Sequence, residues 1–474
     1  MEILHVSAEC YPVAKAGGLG DVVGALPKYQ RQLGHVAKVV MPMYRTKFLY
    51  DNQFEVVHKG YTHLGNWWFN YTIIKESTNK LGFDLYLVDI NGLLDREKVY
   101  GYGDDTERFT AFQITVVDWL AAWKHRPDIV HVHDHQAALI PFMFKYCYEY
   151  RSLQDIHTVL TIHNAQYQGW MGWEKSVYIP AWDTWQGGML SWAGAINPLA
   201  SGIKCAWKVT TVSPTYLEEM RRSANGLEAL LEYERGKCSG ILNGIDNVVW
   251  DPATDSYLED RYTIDTVEEG KQANKLLLCE RFGLDPKKPL ITFIGRLVGE
   301  KGADLLPQAI EDSFYYIGRK MNFLVLGSGS PVVEGRLQAM KGLSRGDYNT
   351  YIGYDEALSH QIYAGADFIL MPSRVEPCGL NQLYALRYGT VPVVRNTGGL
   401  HDTVVDYGDK NGYGIRFAHA TVGDMTHGIW RSVELYQQPA KLQGIRSRMM
   451  QLDFSWEASV RSYLDLYASM RAEG

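Results

Sequence analysis

The alternation of short apolar runs with longer amphipathic stretches is the feature that most constrains how this chain folds. The runs are rich in Val, Ile and Leu and mostly do not alternate with polar residues, which is typical of strands buried on both faces of a parallel sheet. Helical stretches such as 21–33 separate them, so the pattern predicts an α/β fold of doubly wound sheets. The predicted strands are Ile3–Val6, Val36–Met41, Phe83–Val88, Ile129–Val132, Thr158–Ile162, Val209–Val212, Leu290–Ile294, Phe323–Leu326, Thr350–Ile352, Phe368–Met371 and Val391–Val394.

The runs form two groups, separated by a polar and charged break around 243–288. A chain of 474 residues is also too long for a single core. We therefore predict an N-terminal domain over 1–245 and a C-terminal domain over 246–454, with the break as their connection. Residues 455–474 have apolar residues at helical spacing and are predicted to close the structure as a helix.

Charge and cysteine usage exclude several classes of function. The formal net charge of −7 argues against nucleic acid as the main partner. The N-terminus lacks the basic and apolar regions of a signal peptide, and no apolar run reaches membrane-spanning length. The six cysteines are scattered without a CxxC pair, which suits a reducing compartment. We expect a cytoplasmic protein without a membrane partner.

Polar, charged and glycine residues follow one predicted strand after another. Ligands of open α/β sheets bind beyond the carboxyl ends of the strands, so these residues are the site candidates. Loops are polar in any case, but the conjunction of three cations and a carboxylate indicates more than loop composition. Backbone N–H groups at the glycine turn would suit an anion such as a phosphate. The main candidates are Lys15, Gly18, Asp134, His163, Arg296, Lys301, Tyr354, Ser373, Glu376 and Cys378.

Three features have competing interpretations. The glycines at 18, 20 and 24 resemble a loose dinucleotide fingerprint, but they lie too far beyond the first strand for a nicotinamide enzyme. His131, His133 and His135 alternate along a strand end, which suits either a zinc site or a hydrogen-bonded core. Five Trp residues within 170–192 suit either a surface on which sugar rings stack or a packed loop.

Ordered motifs along the whole chain resemble those of bacterial glycogen synthases and plant starch synthases. The segment Lys15–Val22 resembles the K-x-G-G-L-x-D-V signature of that family. Motifs in order over this length are far more specific than any one of them. The further matches are Val132–Asp134, Thr161–Asn164 with Tyr167–Gly169, Thr211–Tyr216, Leu242–Asp246 with Trp250, Arg296–Leu297 with Lys301–Gly302, Pro372–Leu380 and Asp453–Trp456.

The resemblance implies a GT-B fold, with two Rossmann-like domains facing a central cleft and a C-terminal helix returning to the N-terminal domain. It implies a retaining transfer of glucose from a nucleoside diphosphate sugar to the 4-hydroxyl end of an α-1,4-glucan, without a metal ion or other cofactor. ADP-glucose is the donor expected for the bacterial branch. Two positions depart from common patterns. Tyr384 stands where many retaining GT-B enzymes have a second Glu, which glycogen synthases of this branch also lack. Asn381 stands where bacterial synthases commonly have a Thr near the donor pocket.

Roles follow from charge and from the resemblance. Cations stabilise a departing diphosphate most where its charge grows, which suits Lys15, Arg296 and Lys301. The resemblance places Glu376 at the glucose hydroxyls and His163 beside the anomeric carbon. It also places Asp21 and Asp134 near the sugar or acceptor, and Tyr354 near the base. The remaining expected substrate-binding residues are Gly18, Asn243, Ser373, Cys378, Gly379 and Leu380.

No residue stands out as a covalent nucleophile, which favours front-face substitution. Two other functions stay open at this stage. One is a glucosyltransferase of the same fold that uses UDP-glucose as its donor or transfers glucose to a different acceptor. The other is a glucan-binding relative that has lost catalysis, against which the retention of Lys15, His163, Arg296, Lys301 and Glu376 argues.

Overall fold

A computed structural model describes residues 1–473. The chain forms two compact units. The first contains Met1–Val212, Leu217–Ile241 and the segment from Ser459 onward, and the second contains Ser213–Tyr216 and Leu242–Ala458. The bounds predicted from the sequence were 1–245, 246–454 and 455–474.

The first unit is built on a nine-stranded sheet. Its elements are β1 (Glu2–Val6), α1 (Gly18–Gln32), β2 (Val36–Pro42), α2 (Lys47–Asp51), β3 (Phe54–Leu64), β4 (Trp67–Glu76), β5 (Asp84–Asp89), α3 (Asp105–Ala121), β6 (Ile129–His133), α4 (Ile140–Tyr146), β7 (His157–Ile162), β8 (Ser191–Trp192), β9 (Ala195–Ile196), α5 (Pro198–Cys205), β10 (Lys208–Thr211), α6 (Pro214–Met220), α7 (Glu228–Tyr233) and β11 (Cys238–Gly240). Strands β8 and β9 form a separate two-stranded ribbon.

The second unit is built on a six-stranded sheet in which all neighbouring strands are parallel. Its elements are α8 (Val267–Phe282), β12 (Leu290–Leu297), α9 (Leu306–Tyr316), β13 (Asn322–Gly329), α10 (Pro331–Ala339), β14 (Tyr348–Ile352), α11 (Glu356–Gly365), β15 (Phe368–Met371), α12 (Asn381–Tyr388), β16 (Val391–Arg395), α13 (Gly398–Thr403), β17 (Ile415–Phe417), α14 (Val422–Tyr436), α15 (Pro439–Met450) and α16 (Trp456–Glu473), of which α16 runs on into the first unit.

The central strands are buried on both faces, as their composition predicted. In β1, Ile3, Leu4 and Val6 are completely buried although they point to opposite faces of the sheet. Helix ends also follow simple sequence signals. Pro331 and Pro439 stand at helix starts, and Gly283 and Gly389 end α8 and α12 in the left-handed conformation.

Both sheets have the same internal strand order. The second reads β14-β13-β12-β15-β16-β17, and the first contains β5-β2-β1-β6-β7-β10. Counted within each unit, both are the 3-2-1-4-5-6 order of doubly wound folds. The order reverses between β1 and β6 in one unit and between β12 and β15 in the other. Ligands of such sheets bind at the carboxyl ends of those strands.

The sheet and helix pattern differs from the sequence prediction in several places, since the short strands β8, β9, β11 and β17 were not predicted. The antiparallel strands β3 and β4 extend the edge of the first sheet. They alternate buried and exposed positions, so a search for continuous apolar runs missed them. The break at 243–288 is not simply a connection, because its helix α8 belongs to the second unit. This helix buries Lys271, Asn274 and Lys275, so it lacks an apolar stripe.

Helix α16 contributes its final turns to the first unit. Tyr467 is completely buried there, and its hydroxyl lies 2.6 Å from Nδ1 of His131. The side-chain amide nitrogen of Gln30, in α1, donates to the same hydroxyl at 3.2 Å.

Candidate active site

In the first unit, residues 7–17 connect β1 to α1, and glycines stand at positions 17, 18 and 20, where this loop turns into the helix. Oε1 of Glu9 accepts hydrogen bonds from the backbone N–H groups of Ala16 (2.6 Å) and Gly17 (2.9 Å). The hydroxyl of Tyr100 donates to Oε2 of Glu9 at 2.5 Å. A Cβ added at Gly18, which begins a helix of 15 residues, would meet no atom of another segment within 4 Å. The Glu9 carboxylate therefore fixes the loop, and the start of α1 is accessible to an anion.

The Lys15 side chain extends from this loop. Its Nζ lies 2.8 Å from Oδ2 of Asp21, and both side chains are partly exposed. Exposed ion pairs of this kind contribute little to stability. Lys15 therefore remains available to a phosphate, and Asp21 defines its resting position.

Asp134 and His163 follow the neighbouring strands β6 and β7. Oδ1 of Asp134 accepts from the backbone N–H of His163 at 2.7 Å. Asp134 has a φ of 58°, an uncommon conformation that Asp and Asn tolerate better than most residues. Burial raises the pKa of the Asp134 carboxyl to about 7, although the hydrogen bond from His163 opposes the shift. Burial lowers the pKa of the His163 imidazole to about 3, so the ring is neutral at physiological pH.

The predicted histidine cluster has different members from those expected. His131 and His133 stack with ring centroids 4.4 Å apart, and His5 of β1 joins them. His135 lies beyond the strand, beside Gly169. The three clustered histidines are close enough to share a metal ion.

Each of the six ring nitrogens already has a hydrogen-bond partner. The partners lie at 2.6–3.0 Å and are His133 and Gln30 for His5, Tyr467 and Thr161 for His131, and His5 and His163 for His133. A hydrogen-bonded core therefore accounts for this cluster, which is the second of the two interpretations of the sequence.

In the second unit, Lys301 and Glu376 form the centre of the predicted site. Nζ of Lys301 lies 2.7 Å from Oε1 and 2.8 Å from Oε2 of Glu376. The Ser373 hydroxyl donates to Oε2 at 2.9 Å. The Glu376 side chain is 7% exposed and that of Lys301 is 23% exposed. The structure thus brings together three predicted residues from the carboxyl ends of β12 and β15.

Glycines allow the chain to approach this group closely. Gly302 has a φ of 70°, and a Cβ there would lie 2.1 Å from the carbonyl oxygen of Pro372. A Cβ on Gly398 would lie 1.9 Å from the carbonyl oxygen of Glu376. Both positions require glycine, because a side chain would displace the segments that carry Lys301 and Glu376.

The segment from Cys378 to Leu380 turns into α12. Burial raises the pKa of the Cys378 thiol to about 12, and the backbone N–H of Asn243 hydrogen-bonds its sulfur. Gly379 has a φ of 79°, and the Gln382 side chain donates to the carbonyls of Cys378 and Gly379. Cys378 is thus a neutral thiol that packs beneath the loop, whereas Asn243 Oδ1 is buried without a hydrogen-bond partner among residues 1–473.

Three further positions differ in how firmly they are held. Arg296 is largely exposed, with its nearest carboxylate, that of Glu300, at 3.8 Å. Tyr354 is 79% exposed, and its hydroxyl donates to Glu356 at 3.2 Å. The Asn381 amide donates to the carbonyl of Ile294 at 2.7 Å, so this unusual residue ties α12 to β12.

The Trp-rich stretch combines both interpretations of the sequence. Trp182 packs edge-on against Phe142, and the Trp192 indole donates to the carbonyl of Gly226 at 2.7 Å. By contrast, Trp185 is 91% exposed, and Trp170 is 42% exposed. The stretch is partly core and partly open aromatic surface.

Sequence reasoning missed several supporting residues. Glu9 and Tyr100 hold the glycine loop, and His5 and Gln30 join the histidine cluster. Glu9 follows β1 directly, so a search of strand ends for carboxylates would have found it. No sequence signal identifies Gln30, because it lies within a helix and its partners come from distant segments.

Comparison with known proteins shows the family to which the chain belongs. A family model described as the starch synthase catalytic domain matches residues 2–233. A second, described as glycosyl transferases group 1, matches residues 278–425. The chain is 53% identical to a glycogen synthase of Flavobacterium johnsoniae over 467 residues, which is 98% of each chain. The chain belongs to the glycogen and starch synthase family.

Other members of the glycogen and starch synthase family are also similar along their whole length. A glycogen synthase of Hydrogenobaculum is 38% identical, with 99% of each chain covered. The solved catalytic domain of starch synthase IV from Arabidopsis thaliana, bound to ADP and acarbose, has a TM-score of 0.88 and 31% identity over 99% of each chain. The resemblance found in the sequence, the GT-B fold and the assignment as a retaining glucosyltransferase are confirmed.

A more distant structure shares only the fold with this synthase-family chain. The sucrose-phosphate synthase of Thermosynechococcus elongatus has a TM-score of 0.63 at 16% identity. Within residues 1–473, no helix combines the length and apolar character needed to cross a bilayer.

Proposed function

We propose that the protein is a glycogen synthase that transfers glucose from ADP-glucose to the non-reducing 4-hydroxyl end of an α-1,4-glucan, with retention of configuration. The observation that carries the proposal is the group of Lys301, Glu376 and Ser373 at the strand-order reversal of the second sheet. Similarity to glycogen synthases over 98% of the chain supports the choice of reaction.

Lys301 would stabilise the departing diphosphate. The Lys301 ammonium donates hydrogen bonds to both carboxylate oxygens of Glu376, so the cation is oriented before substrate binds. Preorganised charge of this kind stabilises a transition state without reorganisation at the moment of reaction. Arg296 and Lys15 would add positive charge, and the N–H groups at Gly18 would add donors.

Glu376 would also bind the sugar. A carboxylate has about four acceptor sites, and Lys301 and Ser373 occupy three of them. Oε1 keeps room for one further donor, such as a glucose hydroxyl. By the family resemblance, His163 and Asp134 would contact the sugar or acceptor, and the remaining proposed substrate-binding residues are Asp21, Asn243, Tyr354, Cys378, Gly379 and Leu380.

The proposal includes no metal ion or other cofactor, because the basic side chains of Lys15, Arg296 and Lys301 would take the place of a cation at the phosphates. A cytoplasmic location is also proposed. Its support is that the six scattered cysteines are all free thiols in the structure, five of them buried.

The test is incorporation of labelled glucose into glycogen from ADP-, UDP- or GDP-glucose, compared by kcat/KM. We expect ADP-glucose to be preferred. A higher kcat/KM with UDP-glucose would reassign the donor but leave the reaction class in place. If no donor gives incorporation while glycogen still binds, the protein is a glucan-binding relative without catalysis.

A further inference from the structure

A continuous chain of hydrogen bonds leads from α1 to His163 through the core of the first unit. Oε1 of Gln30 lies 2.8 Å from Nε2 of His5. Nδ1 of His5 lies 3.0 Å from Nε2 of His133, and Nδ1 of His133 lies 3.0 Å from Nε2 of His163. Gln30, His5 and His133 are completely buried, whereas His163 is 9% exposed.

The imidazoles of His5, His133 and His163 are all neutral at physiological pH. Burial lowers the pKa of His5 to about 4, and it lowers the pKa of His133 well below its usual value, to which the neighbouring histidines add. A neutral imidazole has one N–H donor and one acceptor nitrogen. One proton is therefore shared in each hydrogen bond between two rings. Every ring must donate to the neighbour on the same side, so all hydrogen bonds of this series run in one direction.

The end of the chain at Gln30 sets that direction. The amide oxygen of Gln30 faces His5 and can only accept, so Nε2 of His5 carries the proton. The amide nitrogen faces Tyr467, to whose hydroxyl it donates at 3.2 Å. Nε2–H of His133 then donates to His5, and Nε2–H of His163 donates to His133. Nδ1 of His163 is left with a lone pair.

His163 differs from the other members at its outer end. Its Nδ1 has no hydrogen-bond partner within residues 1–473, whereas both nitrogens of His5 and of His133 are engaged. Its backbone N–H is fixed by Asp134, so the position of the ring is set at both the backbone and Nε2. A group held in this way is presented to a ligand as an acceptor of defined direction.

We propose that Gln30, His5 and His133 are positioning residues that fix His163 as its Nε2–H tautomer, so that Nδ1 accepts a hydrogen bond from a sugar hydroxyl. The part that concerns the sugar rests on the proposed function. The tautomer itself does not, because it follows from the hydrogen-bond chain alone.

The direct test is the ¹⁵N spectrum of the full chain labelled at histidine, with His163 assigned by loss of its signals in His163→Gln. Protonated and unprotonated ring nitrogens differ widely in ¹⁵N shift, so, once His163 is assigned, the tautomer is determined from the spectrum of the wild-type protein. We expect Nε2 of His163 to carry the proton. A proton on Nδ1 would mean that the amide of Gln30 is reversed, and would overturn the proposal.

Variants test whether the series of hydrogen bonds from Gln30 to His163 sets the tautomer of His163. Gln30→Leu removes the terminal acceptor, and His133→Phe keeps a ring but removes both nitrogens. We expect a mixed tautomer at His163 and a fall in kcat of about 3- to 10-fold, the equivalent of one neutral hydrogen bond. His133→Asn, whose amide oxygen can accept from Nε2–H, should restore the tautomer and most of the kcat.

Val132→Ala is the matched control for lost packing. Val132 is completely buried beside His133 but points to the opposite face of β6. The Val132→Ala substitution should lower the melting temperature without changing the tautomer of His163 or kcat. If Gln30→Leu and His133→Phe leave both unchanged, the chain does not position His163. If the wild type transfers no glucose yet has the expected tautomer, the proposed function fails while the hydrogen-bond chain stands.

Discussion

The pair formed by Lys301 and Glu376 should be energetically coupled, and a double-mutant cycle can measure the coupling. The perturbations are Lys301→Met, Glu376→Gln and the two together, which keep side-chain size while removing charge. At the observed 2.7 Å and an effective dielectric constant of about 20, the attraction is about 6 kcal/mol before desolvation is subtracted. The desolvation penalty offsets much of this value.

The single variants should have unequal effects on stability. Loss of one partner from a buried pair costs about 3–5 kcal/mol, because the other charge is left unpaired. The Lys301 side chain is 23% exposed, so water moderates this cost. We expect about 2–3 kcal/mol for Lys301→Met, which strands the more deeply buried carboxylate, and about 1–2 kcal/mol for Glu376→Gln. The double variant should cost no more than either single variant, so the coupling should be at least as large as the greater single cost, about 2–3 kcal/mol.

The assay is urea unfolding at equal m values, with circular dichroism as the fold control. The pair between Arg374 and Asp304 is a matched control, because it is also bidentate but its side chains are 39% and 44% exposed. Its coupling should stay below about 1 kcal/mol. Additivity within about 0.5 kcal/mol at Lys301 and Glu376 would refute the reasoning. In kinetics, each single variant should lower kcat by roughly 10²–10³-fold, and the double variant should be no worse than the poorer single.

Three further outcomes are expected. Dialysis against EDTA should leave glucose transfer intact, and a loss of activity that Mg²⁺ or Mn²⁺ restores would contradict the proposed role of the basic residues. The pKa of Asp134 is raised to about 7, so its ionisation destabilises the fold as pH rises from about 4 to 7. Asp134→Asn should therefore gain about 2–3 kcal/mol of unfolding free energy relative to wild type between pH 5 and pH 8, and a constant difference would show that the carboxyl titrates normally. Gly302→Ala should cost more than about 2 kcal/mol and lower kcat through displaced Lys301, whereas Gly342→Ala, with open space around it, should stay within about 0.5 kcal/mol.

The parallel strands were predictable because burial on both faces leaves a continuous apolar run, as in β1. The helix α8 was not, because it places polar side chains inside the second unit. Nζ of Lys271 is completely enclosed there and donates to the carbonyls of Tyr363, Ala364 and Tyr388 and to the hydroxyl of Thr390. A buried amine satisfied by backbone carbonyls leaves no periodic signal in the sequence.

The proximity of three candidate residues could be expected from the sequence, but their pairings could not. Strand ends and motifs identified Lys301, Glu376 and Ser373, yet nothing in the sequence showed that the ammonium and the carboxylate bind each other. The roles of the individual residues remain predictions. Gln30 illustrates the limit most clearly, since only the fold brings it to His5 and Tyr467.

The contact between Gln30 and Tyr467 also bears on how the protein is made. The two residues are 437 positions apart, and His131 is 336 positions from the same tyrosine. Ribosomal synthesis delivers the N-terminal region first, and most domains fold as they emerge. Here the first unit lacks its closing helix until the whole second unit has been synthesised. The side-chain amide nitrogen of Gln30 and Nδ1 of His131 must wait for their partner Tyr467 through synthesis of the entire second unit, so nascent chains truncated before α16 should depend strongly on chaperones.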